Sequence, residues 1–434
     1  MLRKTRSVLF GVAILLSFVC PRAFASDNGV IKLELPDAAA VGMGGAFVGE
    51  ADRPSAVYYN PAGITQLDDI QLSAGLTWAQ PQIKYESSAV QNGPGYTATM
   101  KEDNYLFPSV FVTVPVIKNK LYLGLGETSA YGGGNDWEAN SFSQYSTIKD
   151  SITNQDYMID AAYKVTDQWS VGLGAIDEQS SFEHSSAINQ NPAANGNVLF
   201  KANDNAWGFT VATTYKLNDQ NQFGLVYKSP ISHVYDGNAY FSNLYTGGGL
   251  GNILANNTSS VSTKAIQKLT MPQSVTLGYS LKPTSKWTIN FDLGWTDWSQ
   301  YKEQVTSYPN FTSTQNSFLP GPQSRDWTSV WSESLGVQYA VTDKFRVRTG
   351  YEHHQTPVPE LTYNTEFPDA DSNAVSFGVG YDITSKLTVD LAYVADFYQS
   401  RNVVNTIDNN LGAFMNGKYH EFVNVAVATL TYKF

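Results

Sequence analysis

Cysteine is nearly absent: Cys20 is the one example in 434 residues, and it sits in a stretch that reads as a cleavable leader. The mature chain therefore has no disulfide and no thiolate chemistry. Charge is sparse at 15% of residues, and the basic sign is the scarcer, with 28 Lys and Arg against 39 Asp and Glu. Loss of Arg3, Lys4, Arg6 and Arg22 with the leader leaves 24 against 39, a net of −15. That balance argues against a nucleic-acid partner. No apolar run is long enough for a transmembrane helix. Histidine occurs five times, at His184, His233, His353, His354 and His420, and no Gly-x-Ser-x-Gly is present. His353-His354 lacks a third ligand at metal spacing. The expectation is a chain that is not an enzyme, with no catalytic residue, no metal and no cofactor.

The leader spans residues 1–25. Arg3, Lys4 and Arg6 supply its charge, residues 8–20 its apolar stretch, and Ala23-Phe24-Ala25 its cleavage site. These are the parts of a secretory signal peptide.

What the sequence does have is alternation. Tyr157-Ile159-Ala161-Tyr163-Val165 puts apolar groups on one face, opposed by Asp156, Met158, Asp160, Ala162 and Lys164. Trp207-Phe209-Val211-Thr213-Tyr215-Leu217 repeats the pattern, as do Trp287-Ile289-Phe291-Leu293-Trp295, Phe345-Val347-Thr349-Tyr351 and Leu387-Val389-Leu391-Tyr393. Successive strand side chains point to opposite faces, so a period of two gives one oily and one wet surface.

The connections decide what the oily face meets. Short polar ones at 118–120, 166–168, 218–221, 283–285, 342–344 and 384–386 alternate with long ones near 80–103, 132–153, 184–205, 233–264, 300–326, 357–372 and 400–419. Six short and seven long connections join fourteen strands. Short turns at one end and long loops at the other are the habit of a transmembrane β-barrel. Aromatics flank the short turns: Tyr163 with Trp169, Tyr215 with Phe223, Tyr279 with Trp287, Tyr339 with Phe345. Such rings settle at the headgroup level. The expected fold is all-β: a 14-stranded antiparallel transmembrane barrel over residues 69–434 in a bacterial outer membrane, in contact with its lipid and lipopolysaccharide, and monomeric. By strict counting Glu333 falls on the oily face of the tenth strand, which suggests a bulge there or a place above the hydrocarbon.

Residues 26–68 break the alternation and are rich in Ala and Gly, ending in Tyr59-Asn60-Pro61-Ala62-Gly63. A barrel this wide leaves an open channel unless something fills it. This segment is the expected plug, an N-terminal hatch, with Asn60, Pro61 and Ala62 turning the chain into the first strand.

The chain resembles the FadL/TodX family of outer-membrane transporters of long-chain fatty acids and other hydrophobic molecules. The resemblance is carried by Gly42-Met43-Gly44-Gly45-Ala46-Phe47-Val48-Gly49, Asn60-Pro61-Ala62-Gly63, Ala130-Tyr131-Gly132, Met271-Pro272, Trp295-Thr296-Asp297-Trp298-Ser299-Gln300-Tyr301, Arg348-Thr349-Gly350, Pro357-Val358-Pro359 and Phe367-Pro368-Asp369. It implies passive diffusion: capture in an oily groove among the loops after the fifth and seventh strands, passage past the hatch, and lateral exit where the third strand kinks. Tyr131, Gly132 and Gly133 are the expected gate, because glycine permits a bend in a strand.

Candidate ligand contacts are apolar residues placed where water should not favour them: Phe182 after the fifth strand, and Phe241, Leu244, Tyr245, Ile253 and Leu254 after the seventh. The resemblance adds Arg325, paired with Asp326, as a cation for a carboxylate. Arg346 and Arg348 point inward by the alternation, with Glu352, Asp292 or Asp390 as structural partners. Fatty acid is the leading cargo and monoaromatic or other neutral hydrocarbons the alternative. A lipid-modifying enzyme and a general porin are the rival classes.

Overall fold

The computed structural model describes residues 35–434 apart from 89–91, 94, 102–103 and 406–411. The leader and residues 26–34 lie outside the described residues. Fourteen antiparallel strands close into a barrel. They are β1 (Gln71–Ser87), β2 (Tyr105–Ile117), β3 (Leu121–Thr128, then Gly132–Asp136), β4 (Lys149–Lys164), β5 (Trp169–Ile188), β6 (Gly196–Lys216) and β7 (Asn221–Lys228, then Ile231–Ser242). There follow β8 (Val261–Met271, then Ser274–Thr284), β9 (Trp287–Thr296), β10 (Val330–Ala340), β11 (Phe345–His354), β12 (Ser372–Asp382), β13 (Leu387–Tyr398) and β14 (Gly417–Lys433). Closure is made by β1 and β14, in register from Gln71↔Lys433 to Ser87↔Gly417. A closed ladder leaves no strand edge exposed to lipid.

The alternation does what the sequence promised. Ile159, Leu173, Trp207, Phe209, Leu225, Phe291 and Leu391 stand exposed on the outer face, while Asp160, Ser170, Thr214, Asn290 and Asp390 are buried in the lumen. Tyr163, Trp169, Tyr215, Phe223 and Trp287 are also exposed, beside the short turns. Phe223 stacks on Tyr279 at 4.9 Å, and Trp287 lies 4.6 Å from Tyr339. Each turn is fixed by a side-chain oxygen. Thr166 Oγ1 accepts from the amides of Gln168 and Trp169, and Asn218 Oδ1 from those of Gln220 and Asn221. Thr342 and Thr384 repeat the motif. These are the local bonds that Ser, Thr, Asn and Asp offer a turn.

Three expected loops are partly strand. The connection after β5 is only 189–195, because β5 runs to Ile188 and β6 starts at Gly196. β7 continues to Ser242 and β8 begins at Val261, so Met271-Pro272 marks a break within β8 rather than its start. Gly132–Asp136 pairs with Lys149–Thr153 of β4. The physical reason is an inversion of phase along the strands. In the lower half of β6, Trp207 and Phe209 face out. In its upper half the buried apolar residues are Phe200 and Ala202, and Lys201 and Asn203 are exposed. Above the hydrocarbon the outer face is wet and the inner face oily, so these segments read as loop. Glu333 is exposed on the outer face in an unbroken β10–β11 register, opposite His353; there is no bulge.

Residues 35–66 form no barrel strand. They make two one-turn helices, Ala38–Val41 and Ala56–Tyr59, and a 3-10 turn, Pro61–Gln66. Asp37 caps the first by accepting from Ala39 N–H at 2.8 Å, and Asn60 caps the turn by accepting from Ala62 N–H at 3.1 Å. The wall bonds to this segment from many sides. Ala38 N–H donates to Thr429 of β14, Gly44 N–H to Ser376 of β12, and Phe47 and Val48 N–H to Asp292 of β9 at 2.8 Å each. Asn60 Nδ2 donates to Val48 O and to Thr214 of β6, and Thr65 to Ser170 of β5. Contact is close enough that a Cβ on Gly350 of β11 would collide with the backbone of Gly44.

Candidate ligand passage

The backbone ladder of the wall is interrupted on one side. The β2–β3 ladder runs from Ile117↔Leu121 to Val110↔Glu127 and stops. Beyond it, Tyr105–Ser109 stay paired with β1, while β3 breaks after Thr128 and resumes as Gly132–Asp136 against β4, with Asp136 O also accepting from Lys101 N–H at 3.0 Å. The backbone demand falls on Gly133, at φ +146°, and on Gly134, where a Cβ would strike the carbonyl of Asp150. Gly132, the residue expected to make the kink, sits in ordinary register with Thr153. Only glycine adopts the Gly133 conformation without strain.

Behind the break lies a pocket. Ala130 and Tyr131 line it from β3, Tyr58 from the N-terminal segment, and Met158, Ile176, Ile231 and Met271 from β4, β5, β7 and β8. Asp156, Glu178, Thr210 and Lys228 are its main polar members. Tyr131 turns inward to meet Trp298 edge-on at 6.2 Å. Above the pocket the lumen is packed with rings: Trp298 against Trp327 at 5.0 Å, Trp327 against Tyr301 and Phe367, and Phe182 against Phe200 and Tyr235. Burial pushes the Tyr308 hydroxyl up to about 12, a sign of how dry this region is.

Phe182, Phe241, Leu244 and Leu254 join one buried apolar cluster, with Ile253 packed against it. Phe182 and Phe241 reach it from strands rather than loops, and Phe241 meets Tyr308 and Phe311 of the β9–β10 connection. Tyr245 stands apart: it is 47% exposed, and its ring fills the space that side chains on Gly247 and Gly249 would take. Asn60, Pro61 and Ala62 are buried, and Pro61 and Ala62 press on β5 at Gly172.

Arg325 is buried, and its partner is not Asp326. Its guanidinium bonds Glu366 Oε2 at 2.6 Å, and its Nε donates to Gln304 Oε1 at 3.0 Å. Asp326 instead accepts from Ser324 at 2.6 Å. Gln304 Nε2 donates to Glu366 Oε1 at 2.7 Å, and His184 lies 3.8 Å from the same oxygen. Arg346 pairs with Asp382 at 2.6 Å, a partner not among those expected, and Arg348 with Asp390 at 2.7 Å. Sequence reasoning missed Glu366 as the partner and Tyr58, Met158, Ile176 and Ile231 as pocket lining. The last three are apolar residues on inward positions, a signal that was available in the alternation. Among the described residues no group of His, Cys, Asp or Glu is arranged to hold a metal ion.

A family model described as outer membrane protein transport protein (OMPP1/FadL/TodX) matches residues 23–434. The chain belongs to this family. It is an outer-membrane protein, and its family is one of transport proteins. Among curated relatives, the long-chain fatty acid transport protein of Escherichia coli (strain K12) is 24% identical over 429 residues, covering 90% of this chain and 92% of that one. The 47 kDa outer membrane protein of Pasteurella multocida is 26% identical over 390 residues, covering 85% and 88%. Among solved structures, a Pseudomonas aeruginosa FadL homologue superposes with a TM-score of 0.80 at 20% identity, over 94% of this chain and all of that one. The P. putida toluene transporter TodX gives 0.71 at 17% identity, over 93% and 99%. These two likenesses concern the fold.

Proposed function

We propose that this protein takes up long-chain fatty acids and similar hydrophobic molecules by passive diffusion through a plugged barrel with a lateral exit. The observation that carries the reading is the end of the β2–β3 ladder at Val110↔Glu127 with an apolar pocket behind it. A long-chain molecule crosses the sugar-covered leaflet poorly yet dissolves in hydrocarbon, so a side door at membrane level delivers it where it is soluble. Residues 26–68 act as the hatch, 69–434 as the barrel and 1–25 as the signal peptide. The cluster holding Phe182, Phe241, Leu244, Ile253 and Leu254 is the capture region, and Tyr131, Gly132 and Gly133 belong to the gate. Fatty acid leads because the curated relative from Escherichia coli carries that name. Neutral aromatic hydrocarbons are the second reading, favoured by the burial of Arg325 against Glu366, which leaves its charge already compensated. A monomer in contact with lipid and lipopolysaccharide suffices for either.

Growth tests the proposal. Expressed in a host lacking its own transporter, the protein should restore growth on oleate and uptake of labelled oleate. Restored growth on toluene with none on oleate would favour the second reading, and restoration of neither would sink both.

A further inference from the structure

The seam that closes the barrel carries a patch of uncompensated positive charge on its outer face. Lys84 of β1 stands opposite His420 of β14, and Glu86 opposite Lys418. Asn402, in the short strand Arg401–Val403, faces Lys418 from the other side, and Ser400 shares a hydrogen bond with His420 Nδ1 at 2.7 Å. The alternate residues Tyr85 and Tyr419 are buried inside, so Lys84, Glu86, Lys418 and His420 point outward. Among the described residues Glu86 is the one carboxylate within 4.0 Å of these bases: its Oε1 lies that far from His420 Nε2, and neither lysine has one. On β6 and β8 the outward lysines are instead paired, Lys201 with Glu183 at 2.8 Å and Lys264 with Asp236 at 2.7 Å.

The height of the patch on the wall decides what it meets. Phe397 and Phe422, rings 5.1 Å apart on the outer face, lie in the next outward row toward the short turns. Aromatic rings settle at the headgroup level of a bilayer. Two residues further along a tilted strand is a rise of about 5 Å, which puts the patch at the level of lipid phosphates. Lys84 and Lys418 offer three N–H donors each and no acceptor, and Ser400 adds a hydroxyl. Such a set takes an anion with several oxygens. The lumen is on the other side of the wall, so a cargo carboxylate in the pocket cannot reach it.

We propose that Lys84, Lys418, His420 and Ser400 form a docking site for a phosphate group of an outer-leaflet glycolipid, the lipid A of lipopolysaccharide. The proposal rests on the reading of this barrel as a membrane protein in contact with lipopolysaccharide.

The test is a titration of the full-length protein in detergent with bisphosphorylated lipid A and with its dephosphorylated form, read by native mass spectrometry. The wild type should hold the bisphosphorylated form about thirtyfold more tightly, two lysines each worth about fivefold at an anionic lipid surface. Lys84→Gln with Lys418→Gln should abolish that preference and leave binding of the dephosphorylated form unchanged. Lys201→Gln with Lys264→Gln, at the paired lysines, should change neither affinity by more than about twofold. Heat-modifiable gel migration confirms barrel assembly. Equal losses from the two pairs of substitutions, or no loss from the first pair in an assembled barrel, overturns the site. Equal wild-type affinities for the two lipids overturn the site and leave contact with lipopolysaccharide standing. Binding of neither lipid overturns the contact and the site together.

Discussion

Arg53 of the N-terminal segment meets Asp390 of β13 at 2.5 Å, and the same carboxylate holds Arg348 of β11 at 2.7 Å. Arg53 Nε also reaches Asp37 at 3.1 Å, so one guanidinium ties the start of the segment to its middle and both to the wall. Breaking a buried pair by removing one partner costs about 3–5 kcal/mol. Arg53→Ala should therefore raise amide hydrogen exchange across residues 35–66 by two or more orders of magnitude. Exchange in β4–β6 should stay as it was. Unchanged exchange in the segment would mean that the amide bonds to Thr429, Ser376 and Asp292 hold it without the ion pair.

Gly133 carries a backbone conformation closed to a branched residue. Gly133→Val should either straighten β3 toward β2 or disorder the break. Oleate uptake by whole cells should fall at least tenfold while binding to purified protein persists. Normal uptake through an assembled Gly133→Val barrel would place the exit elsewhere.

The Arg325–Glu366 pair predicts a pattern of losses. Arg325→Ala leaves Glu366 buried with Gln304 and His184 and no full positive charge, so the surrounding loops should loosen. Binding of oleate and of methyl oleate should weaken to the same extent, within about twofold. A double variant, Arg325→Ala with Glu366→Ala, should recover part of the lost thermal stability. A loss confined to the free acid would identify Arg325 as a carboxylate clamp.

Asp297, just past the end of β9, is a pH probe for the outer loops. The Ser299 hydroxyl, with Gln273 and Ser329, holds its carboxyl down to about 2. An unfolded aspartate titrates near 3.9. The folded state thus binds fewer protons in between, and the stabilisation is present above about pH 4 and lost as pH falls through 2. Acid titration followed by fluorescence should show the Trp298–Trp327 contact loosening in that window. Asp297→Asn should remove the transition. Superimposable titrations for the two proteins would show that Asp297 does not govern the contact.

The alternation made the strand count and the six short turns legible, because lipid on one side and a polar lumen on the other stamp a period of two on each strand. The height of β4–β8 was not legible. Once Lys201, Asn203 and Glu183 rise above the hydrocarbon, the oily face turns inward to Phe182 and Phe200, and the pattern no longer resembles a lipid-facing strand. Partners set by loop folding were hidden for another reason. Arg325 finds Glu366 across 41 residues, whereas its neighbour Asp326, at φ +47°, is turned away to Ser324. The Lys84–His420 opposition depends on the register of β1 against β14, which only the closure of the barrel sets.

β5 and β6 have 20 and 21 residues, β9 and β11 ten each. At about 3.3 Å per residue and a tilt of roughly 40°, that difference raises one side of the rim about 25 Å above the other. The barrel is thus a scoop rather than a tube. The strands of its tall lip rise further from the short turns than those of its low lip. Neighbouring molecules in a crowded membrane meet a different profile on each flank, so the protein has a front and a back within the plane of the bilayer.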